Sequence, residues 1–389
     1  MRTFSEKSKL LVTCAKGLAP LLVGELKTLG FPVEVEKTLG VFSRGSLDDT
    51  ILLNLKLRTG FRVLYHLLDF SADSPADLYL HIRKIEWEKW LPLDGYFSVT
   101  SAVFTESIND TRYANLKCKD AIVDRFQDVC GQRPNSGSDR NKAVIFLYWR
   151  DRFCSVFLDT SGDSLSKRGY RKIPGVAPMQ ETLAAGVVLA SAWRGQGHFV
   201  NPMCGSGTIA IEAALIALDK SPGLLRNNFG FMHLNGYDKS QYLKIRKDIR
   251  SKVKNTAECR IVVSDIDRRA VSAAEKNATT AGVNRFLEFE VCDFKNTEIP
   301  TGEGVVFLNP PYGKRMGQLQ DLEKTYRDIG DFFKQKCMGY RGYIFTGNPQ
   351  LQKKVGLRTK RRMIFYNSKI ECRLLEYELY EGSRKRKDE

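Results

Sequence analysis

From residue 178 onward the chain repeats one pattern. A short apolar run is followed by a turn, and then by a longer segment with apolar residues at helical spacing. Short apolar runs read as strands buried on both faces, and such strands pair in parallel when helices cover them. The pattern predicts strands at 198–203, 260–265, 287–292, 304–308 and 342–346, with helices at 181–194, 206–218, 268–281 and 322–336. A terminal strand pair follows at 363–367 and 372–380. The expected fold class here is α/β, a Rossmann-like doubly wound sheet that takes ligands at the carboxyl ends of its strands.

Residues 1–165 alternate differently, as α+β with short connections. Strands are expected at 10–14, 31–35, 40–44, 61–69 and 96–104, and a hairpin at 143–149 and 151–159. Helices are expected at 16–29 (stopping at Gly30), 48–57, 75–84 and 115–130. No catalytic constellation stands out in these residues. The polar stretch SGDSLSKRGYRKI at 161–173 is the best linker candidate.

Composition bounds the partners. The net charge is +16 over 389 residues. Residues 1–170 hold 24 Lys and Arg against 21 Asp and Glu, whereas the remainder holds 37 against 24. So lopsided a basic half points to a polyanion, although a solvated basic surface gives the same count. Arg384-Lys385-Arg386-Lys387 adds nonspecific attraction only. No apolar run is long enough to span a bilayer, and residues 1–9 lack the apolar core of a signal peptide. The nine cysteines are scattered without a C-x-x-C pair, which argues for reduced thiols in a cytoplasmic protein and against a zinc site. No metal is expected. His198 and His233 read as structural.

The strand ends carry the chemistry. Val200-Asn201-Pro202-Met203-Cys204-Gly205-Ser206-Gly207-Thr208 is a strand, a Gly-rich turn and a helix start. Gly205 and Gly207 let the backbone approach a ligand, and the helix N-terminus offers N–H groups to an anion, such as the carboxylate of S-adenosylmethionine (SAM). A Gly-rich turn alone also serves other nucleotides, or simply packs a helix on a sheet. The next strand ends in Asp265, suited to ribose hydroxyls; Asp267 is either a ligand contact or a helix cap. The third ends in Asp293-Phe294, an acceptor for an adenine amino group and a ring to pack on it. Gly-rich turn, acid and acid on consecutive strands are far more specific together than singly.

The fourth strand runs into Asn309-Pro310-Pro311-Tyr312-Gly313. The prolines stiffen the loop. An exocyclic base amine is a poor nucleophile because its lone pair is delocalised into the ring. Two acceptors, the Asn309 side-chain oxygen and the Pro310 carbonyl, orient it for methyl transfer, and Tyr312 can stack on an extruded base. Lys314 and Arg315 either contact phosphate or are solvated, and Lys360-Arg361-Arg362 either lines an RNA groove or begins a basic strand.

In this order, the residues resemble the THUMP-domain class I methyltransferases of the 23S rRNA guanine-N2 family, formerly described as N6-adenine-specific DNA methylases. Cys14-Ala15-Lys16-Gly17-Leu18 through Glu25-Leu26, Leu57-Arg58-Thr59 to Arg62-Val63-Leu64, Gly169-Tyr170-Arg171, and Ala177-Pro178 to Glu181-Thr182-Leu183-Ala184-Ala185 match the family pattern, as do Pro202 to Thr208, Ser264 to Asp267 and Asn309 to Gly313. The resemblance implies a ferredoxin-like domain at 1–65, a THUMP RNA-binding domain at 66–165, a SAM-dependent methyltransferase domain at 166–383 and a basic tail at 384–389. It implies a SAM pocket that draws on Glu181, Thr182, Asn201, Pro202, Cys204, Gly205, Gly207, Thr208, Asp265, Ile266, Asp293, Phe294 and Asn309. Asn201 departs from the family's usual Asp, which alters how the SAM amino group would be met. The implied activity is N2-methylation of a guanine in 23S rRNA. The alternatives are guanine N2 in tRNA, adenine N6, and a non-catalytic RNA-binding assembly factor. A THUMP-bearing thiouridine synthase would need an ATP-binding loop, and Ser136-Gly137-Ser138-Asp139 lacks its context.

Overall fold

A computed structural model describes residues 3–108, 110–174, 179–311 and 319–380. Tyr312, Gly313, Lys314, Arg315, Ala177, Pro178 and the basic tail lie outside the described residues. The chain divides into two compact units. One gathers Met1–Ala15, Leu22–Lys167 and Pro222–Ser251, and the other Lys16–Leu21, Arg168–Ser221 and Lys252–Glu389.

The first unit is built on β1 (Lys7–Cys14), α1 (Ala19–Thr28), β2 (Val35–Lys37), β3 (Gly40–Ser46), α2 (Leu47–Lys56), β4 (Gly60–Ser71), α3 (Pro75–Lys84), β5 (Tyr96–Phe104), α4 (Thr111–Cys130), β6 (Asn135–Gly137), β7 (Ala143–Arg150) and β8 (Phe153–Asp159). Its strands form one sheet in the order β2-β3-β1-β4-β8-β7-β5-β6. The division expected at residue 65 therefore falls inside β4, whose two edges pair with β1 and β8. Ser46 and Asp49 close a capping box that starts α2, and Ser74 and Asp77 do the same for α3, so each helix begins where the sequence satisfies its free N–H groups. The strand expected at 31–35 starts only at Val35. Pro32 has no N–H to give a ladder, and its carbonyl accepts from Ser43 Oγ at 2.6 Å instead.

The second unit contains α5 (Glu181–Ala190), β9 (His198–Pro202) and α6 (Thr208–Ala217). The next helix, α7 (Lys239–Ser251), belongs to the first unit. Then follow β10 (Ile261–Asp265), α8 (Arg268–Ala281), β11 (Glu288–Val291), β12 (Gly304–Leu308), α9 (Leu319–Lys336), β13 (Arg341–Thr346), β14 (Arg361–Asn367) and β15 (Ile370–Glu378). The sheet order is β11-β10-β9-β12-β13-β15-β14. The first five strands are parallel, and β15 pairs antiparallel with both β13 and β14. The strand order reverses beside β9, which opens a crevice between the carboxyl ends of β9 and β12. One face of the sheet stacks Phe199 on Phe307 and Phe307 on Tyr343, with ring centroids 5.4 and 4.8 Å apart. A core cluster that includes Val200, Val306, Leu308, Tyr326, Ile329 and Phe333 joins α9 to the sheet. Among the described residues no helix is long and apolar enough to cross a membrane.

The stretch 161–173 joins the two units, which divide between Lys167 and Arg168. It has no regular structure, but it is anchored. Leu165, Arg168 and Tyr170 are buried, because side chains elsewhere satisfy its polar groups. In the first unit Arg226 donates to the carbonyls of Ser161, Asp163 and Ser164. In the second, Tyr170 donates to Glu212 at 3.1 Å, and Asn277 clasps the backbone of Lys172 and Ile173.

Candidate active site at the strand ends

The turn after β9 is shaped by left-handed backbone at Met203, Gly205 and Gly207, with φ of 61°, 55° and 82°. Gly207 is required on two counts. Besides its φ, a Cβ there would lie 2.7 Å from Ala274 Cβ on α8. Gly205 is different: a Cβ would meet nothing within 4 Å, so the turn leaves open space at that point. Cys204 N–H bonds the Ser264 carbonyl at 3.0 Å, which ties the turn to the end of β10. Asn277, fully buried, donates to the Ser206 carbonyl at 3.1 Å while holding the strap at 172–173.

Asp265 sits at the tip of β10. One oxygen accepts from Gly205 N–H at 2.9 Å and the other from Asp267 N–H at 3.0 Å. A carboxylate has about four acceptor positions, so two remain for a ligand's hydroxyls. Ile266 follows with 72% exposure. A large aliphatic side chain left in water beside an acid suits a flat apolar ring with polar edges. Asp267 is a cap: it accepts from Arg269 N–H at the start of α8.

Asp293 likewise caps a short helical turn through Lys295 N–H at 2.9 Å. Phe294, expected to pack on an adenine ring, is turned into the core at 8% exposure, edge-on to Phe332. Its ring is thereby spent on sheet packing.

Around β9 and β12 the structure leaves acceptors unpaired. Asn201 is fully buried. Its Nδ2 donates to the Phe307 carbonyl at 2.9 Å, tying the two central strand ends, while its Oδ1 has no partner. A carboxylate could not make that donation, which gives Asn a distinct use at this position. Asn309 Oδ1 is buried and, among the described residues, also unpartnered, as is Thr182 Oγ1 on the first turn of α5. Unpaired buried acceptors cost roughly 1–3 kcal/mol each, and these three lie on the site elements, open to a ligand's N–H or O–H. Pro310 is buried and Pro311 exposed. Pro202 ends β9, and Thr208 begins α6 with its Oγ1 accepting from Arg171 Nη2 at 3.2 Å.

Arg171 is a site group that the sequence marks only through the family resemblance at Gly169-Tyr170-Arg171. Besides Thr208 it approaches Glu181 Oε2 at 3.4 Å. Burial pushes the Glu181 carboxyl up, and Arg171 pulls it back. Apart from that resemblance, the residue shows only a charge within a stretch whose polarity suggests a loose loop. Lys360 and Arg361 are strand-start charges, paired with Glu378 and Glu376. His198 bridges the Thr301 carbonyl and Arg260 N–H. His233 faces Asn228. Among the described residues no group of His, Cys, Asp and Glu is disposed to hold a metal.

A parallel sheet with its topological switch at β9, a Gly-rich turn there, an acid on β10 and Asn-Pro-Pro after β12 is the frame against which relatives can be judged. The family model described as RMKL-like, methyltransferase domain, matches residues 168–376. The chain belongs to the RMKL-like methyltransferase family. Two further models match this RMKL-like chain, the RlmL ferredoxin-like domain at 9–64 and the THUMP domain at 72–159. The Ribosomal RNA large subunit methyltransferase K/L of Syntrophotalea carbinolica is 36% identical over 96% of this chain and 54% of its own. The chain thus spans about half the length of the first curated relatives it matches. A protein of Synechocystis sp. assigned as an RNA methyltransferase is 32% identical over 95% of this chain and 96% of its own. A protein assigned as a methyltransferase and solved as a complex with SAH superposes with a TM-score of 0.88 at 26% identity, covering 97% of this chain and all of that one. The expected family and its α/β fold, with ferredoxin-like and THUMP parts ahead of the methyltransferase sheet, are therefore established.

Proposed function

We propose that this chain is a SAM-dependent RNA methyltransferase that methylates N2 of a guanine in 23S rRNA. The observation that carries the reading is the Asn309 Oδ1 at the carboxyl end of β12, buried and without a partner among the described residues. A neutral amide oxygen held without a donor is an acceptor waiting for one, and an exocyclic amine brings two N–H groups.

Bound SAM supplies the methyl group. In this reading the turn Asn201–Thr208 with Glu181 and Thr182 receives its methionine part, Asp265 the ribose hydroxyls, and Ile266 with Asp293 the adenine. The pocket fits such a ligand because Gly205 leaves room, Asp265 retains free lone pairs and Ile266 offers apolar surface. Asn309 and the Pro310 carbonyl hold the amine so that its lone pair is directed away from the ring, which lowers the barrier by positioning and local electrostatics. Tyr312 stacks on the target base.

The ribosomal substrate is supported by the name of the 36%-identical relative and by the THUMP match within residues 66–165, which we read as the RNA-binding part ahead of a transfer domain at 166–383. The nine cysteines are unpaired, in keeping with a reducing cytoplasm. The experiment is methyl transfer from labelled SAM to protein-free 23S rRNA, tRNA and DNA, followed by nucleoside analysis. N2-methylguanosine in 23S rRNA is expected. Label confined to tRNA, or found as N6-methyladenosine, overturns the substrate, and absence of SAM binding by calorimetry overturns the activity.

A further inference from the structure

We propose that α7 is a second RNA-contacting surface, a cationic helix that grips the phosphate backbone of the substrate. The proposal rests on the RNA methyltransferase reading. Residues 239–254 read KSQYLKIRKDIRSKVK, seven Lys and Arg against a single Asp, within a chain whose net charge is +16. Over a third of the net charge therefore sits in these few residues.

The structure sorts these charges by face. Tyr242 and Ile249 are buried, and Arg246 turns inward, donating to the carbonyls of Arg226 and Leu224 at 3.0 Å each and to Tyr242 Oη at 2.6 Å. That arginine is structural. Lys239, Lys244, Lys247 and Arg250 are exposed, and none forms an ion pair among the described residues. At about 100° per residue, Lys239, Leu243, Lys247 and Arg250 share one stripe, with Lys244 beside it. Leu243, 51% exposed, lies in the middle of it.

A helix face that only needs solubility ordinarily alternates signs at i and i+4, which gains a few tenths of a kcal/mol per pair. Here like charges stand at i and i+3, Lys244 to Lys247 and Lys247 to Arg250, so the face is self-repelling until an anion arrives. An extended polyanion matches a row of unpaired cations, and displacing its counterions provides the driving force. The helix is also counted, by its packing, with the unit that carries the THUMP match, although in sequence it interrupts the methyltransferase match.

The test is K239Q/K244Q/K247Q/R250Q in the full chain, with binding to in vitro-transcribed 23S rRNA measured from low to moderate salt. The expected result is at least a ten-fold loss of affinity at about 0.1 M salt. The slope of log K against log salt should fall by about three, since each phosphate no longer neutralised removes roughly 0.7–0.9. SAM affinity and thermal midpoint should be retained. The arginine variant K239R/K244R/K247R, which keeps the charge, should bind like the parent. Unchanged affinity and slope in the glutamine variant, with the parent binding rRNA, overturn the role of α7 alone. A parent that binds SAM but no rRNA overturns the RNA reading as well.

Discussion

At the scale of single residues, the site is a set of acceptors without donors. Asn309 and Asn201 are both asparagines at the ends of central strands, yet they differ in use. Asn201 spends its Nδ2 on the Phe307 carbonyl, so its removal would loosen the frame. Asn309, in the function proposed above, is the one that acts on an amine. We expect Asn309→Ala to lower kcat at least about ten-fold while SAM affinity stays within about two-fold, because the hydrogen bond it removes is made at the transition state. Equal losses in both would assign Asn309 to cofactor binding. Asp265→Ala should do the reverse. It removes an acceptor for ligand hydroxyls and also frees the Gly205 N–H, and charge-assisted bonds of about 1.5–3 kcal/mol translate into a ten- to hundred-fold weaker SAM Kd by calorimetry. The sequence makes Asp265, Asn309 and the glycines legible, since each is an unusual residue at a strand end. It misleads at Phe294, because an aromatic beside an acid reads equally as a ligand platform or as core, and only packing against Phe332 decides. Arg171 is legible only through the family pattern, because no local spacing announces its contacts with Glu181 and Thr208.

At the scale of elements, the site depends on how closely α6 and α8 can approach β9 and β10. Gly207 is the contact point, and its replacement, followed by unfolding without SAM, tests the frame. Gly207→Ala places a methyl against Ala274 and forces a side chain into the left-handed region. Overpacking and strain together should cost about 2–4 kcal/mol in urea denaturation. A cost below about 0.5 kcal/mol would mean the helices separate freely, and the turn would then owe its glycine to the ligand alone. Strands and helices of the second unit are readable because buried parallel strands are apolar throughout and helices keep a period of 3.6. Boundaries are less so: α5 stops at Ala190 because Ala192 adopts φ of 61°, a backbone event that composition does not announce.

At the scale of the whole molecule, the chain crosses between its two units several times. Between residues 218 and 260 the sequence pattern predicts no strand or helix. In the structure Pro222–Ser251 is part of the first unit, with Phe229 and Phe231 fully buried and stacked at 5.2 Å. The excursion leaves and returns at one place: Lys254 N–H bonds the Leu218 carbonyl at 2.9 Å. A fragment of residues 168–389 would therefore carry the excursion without the surface it packs on, exposing Phe229, Phe231, Tyr242 and Ile249 together. Exposed apolar area of that kind drives association, so the fragment should be insoluble or molten, binding hydrophobic dyes strongly. Replacing 222–251 by a short Gly/Ser linker should restore a soluble fragment with a cooperative thermal transition, because the ends already meet and closing a short loop costs little. If the unaltered fragment were soluble and cooperative, the excursion would have to be self-supporting, and its burial in the first unit would contribute nothing essential to folding.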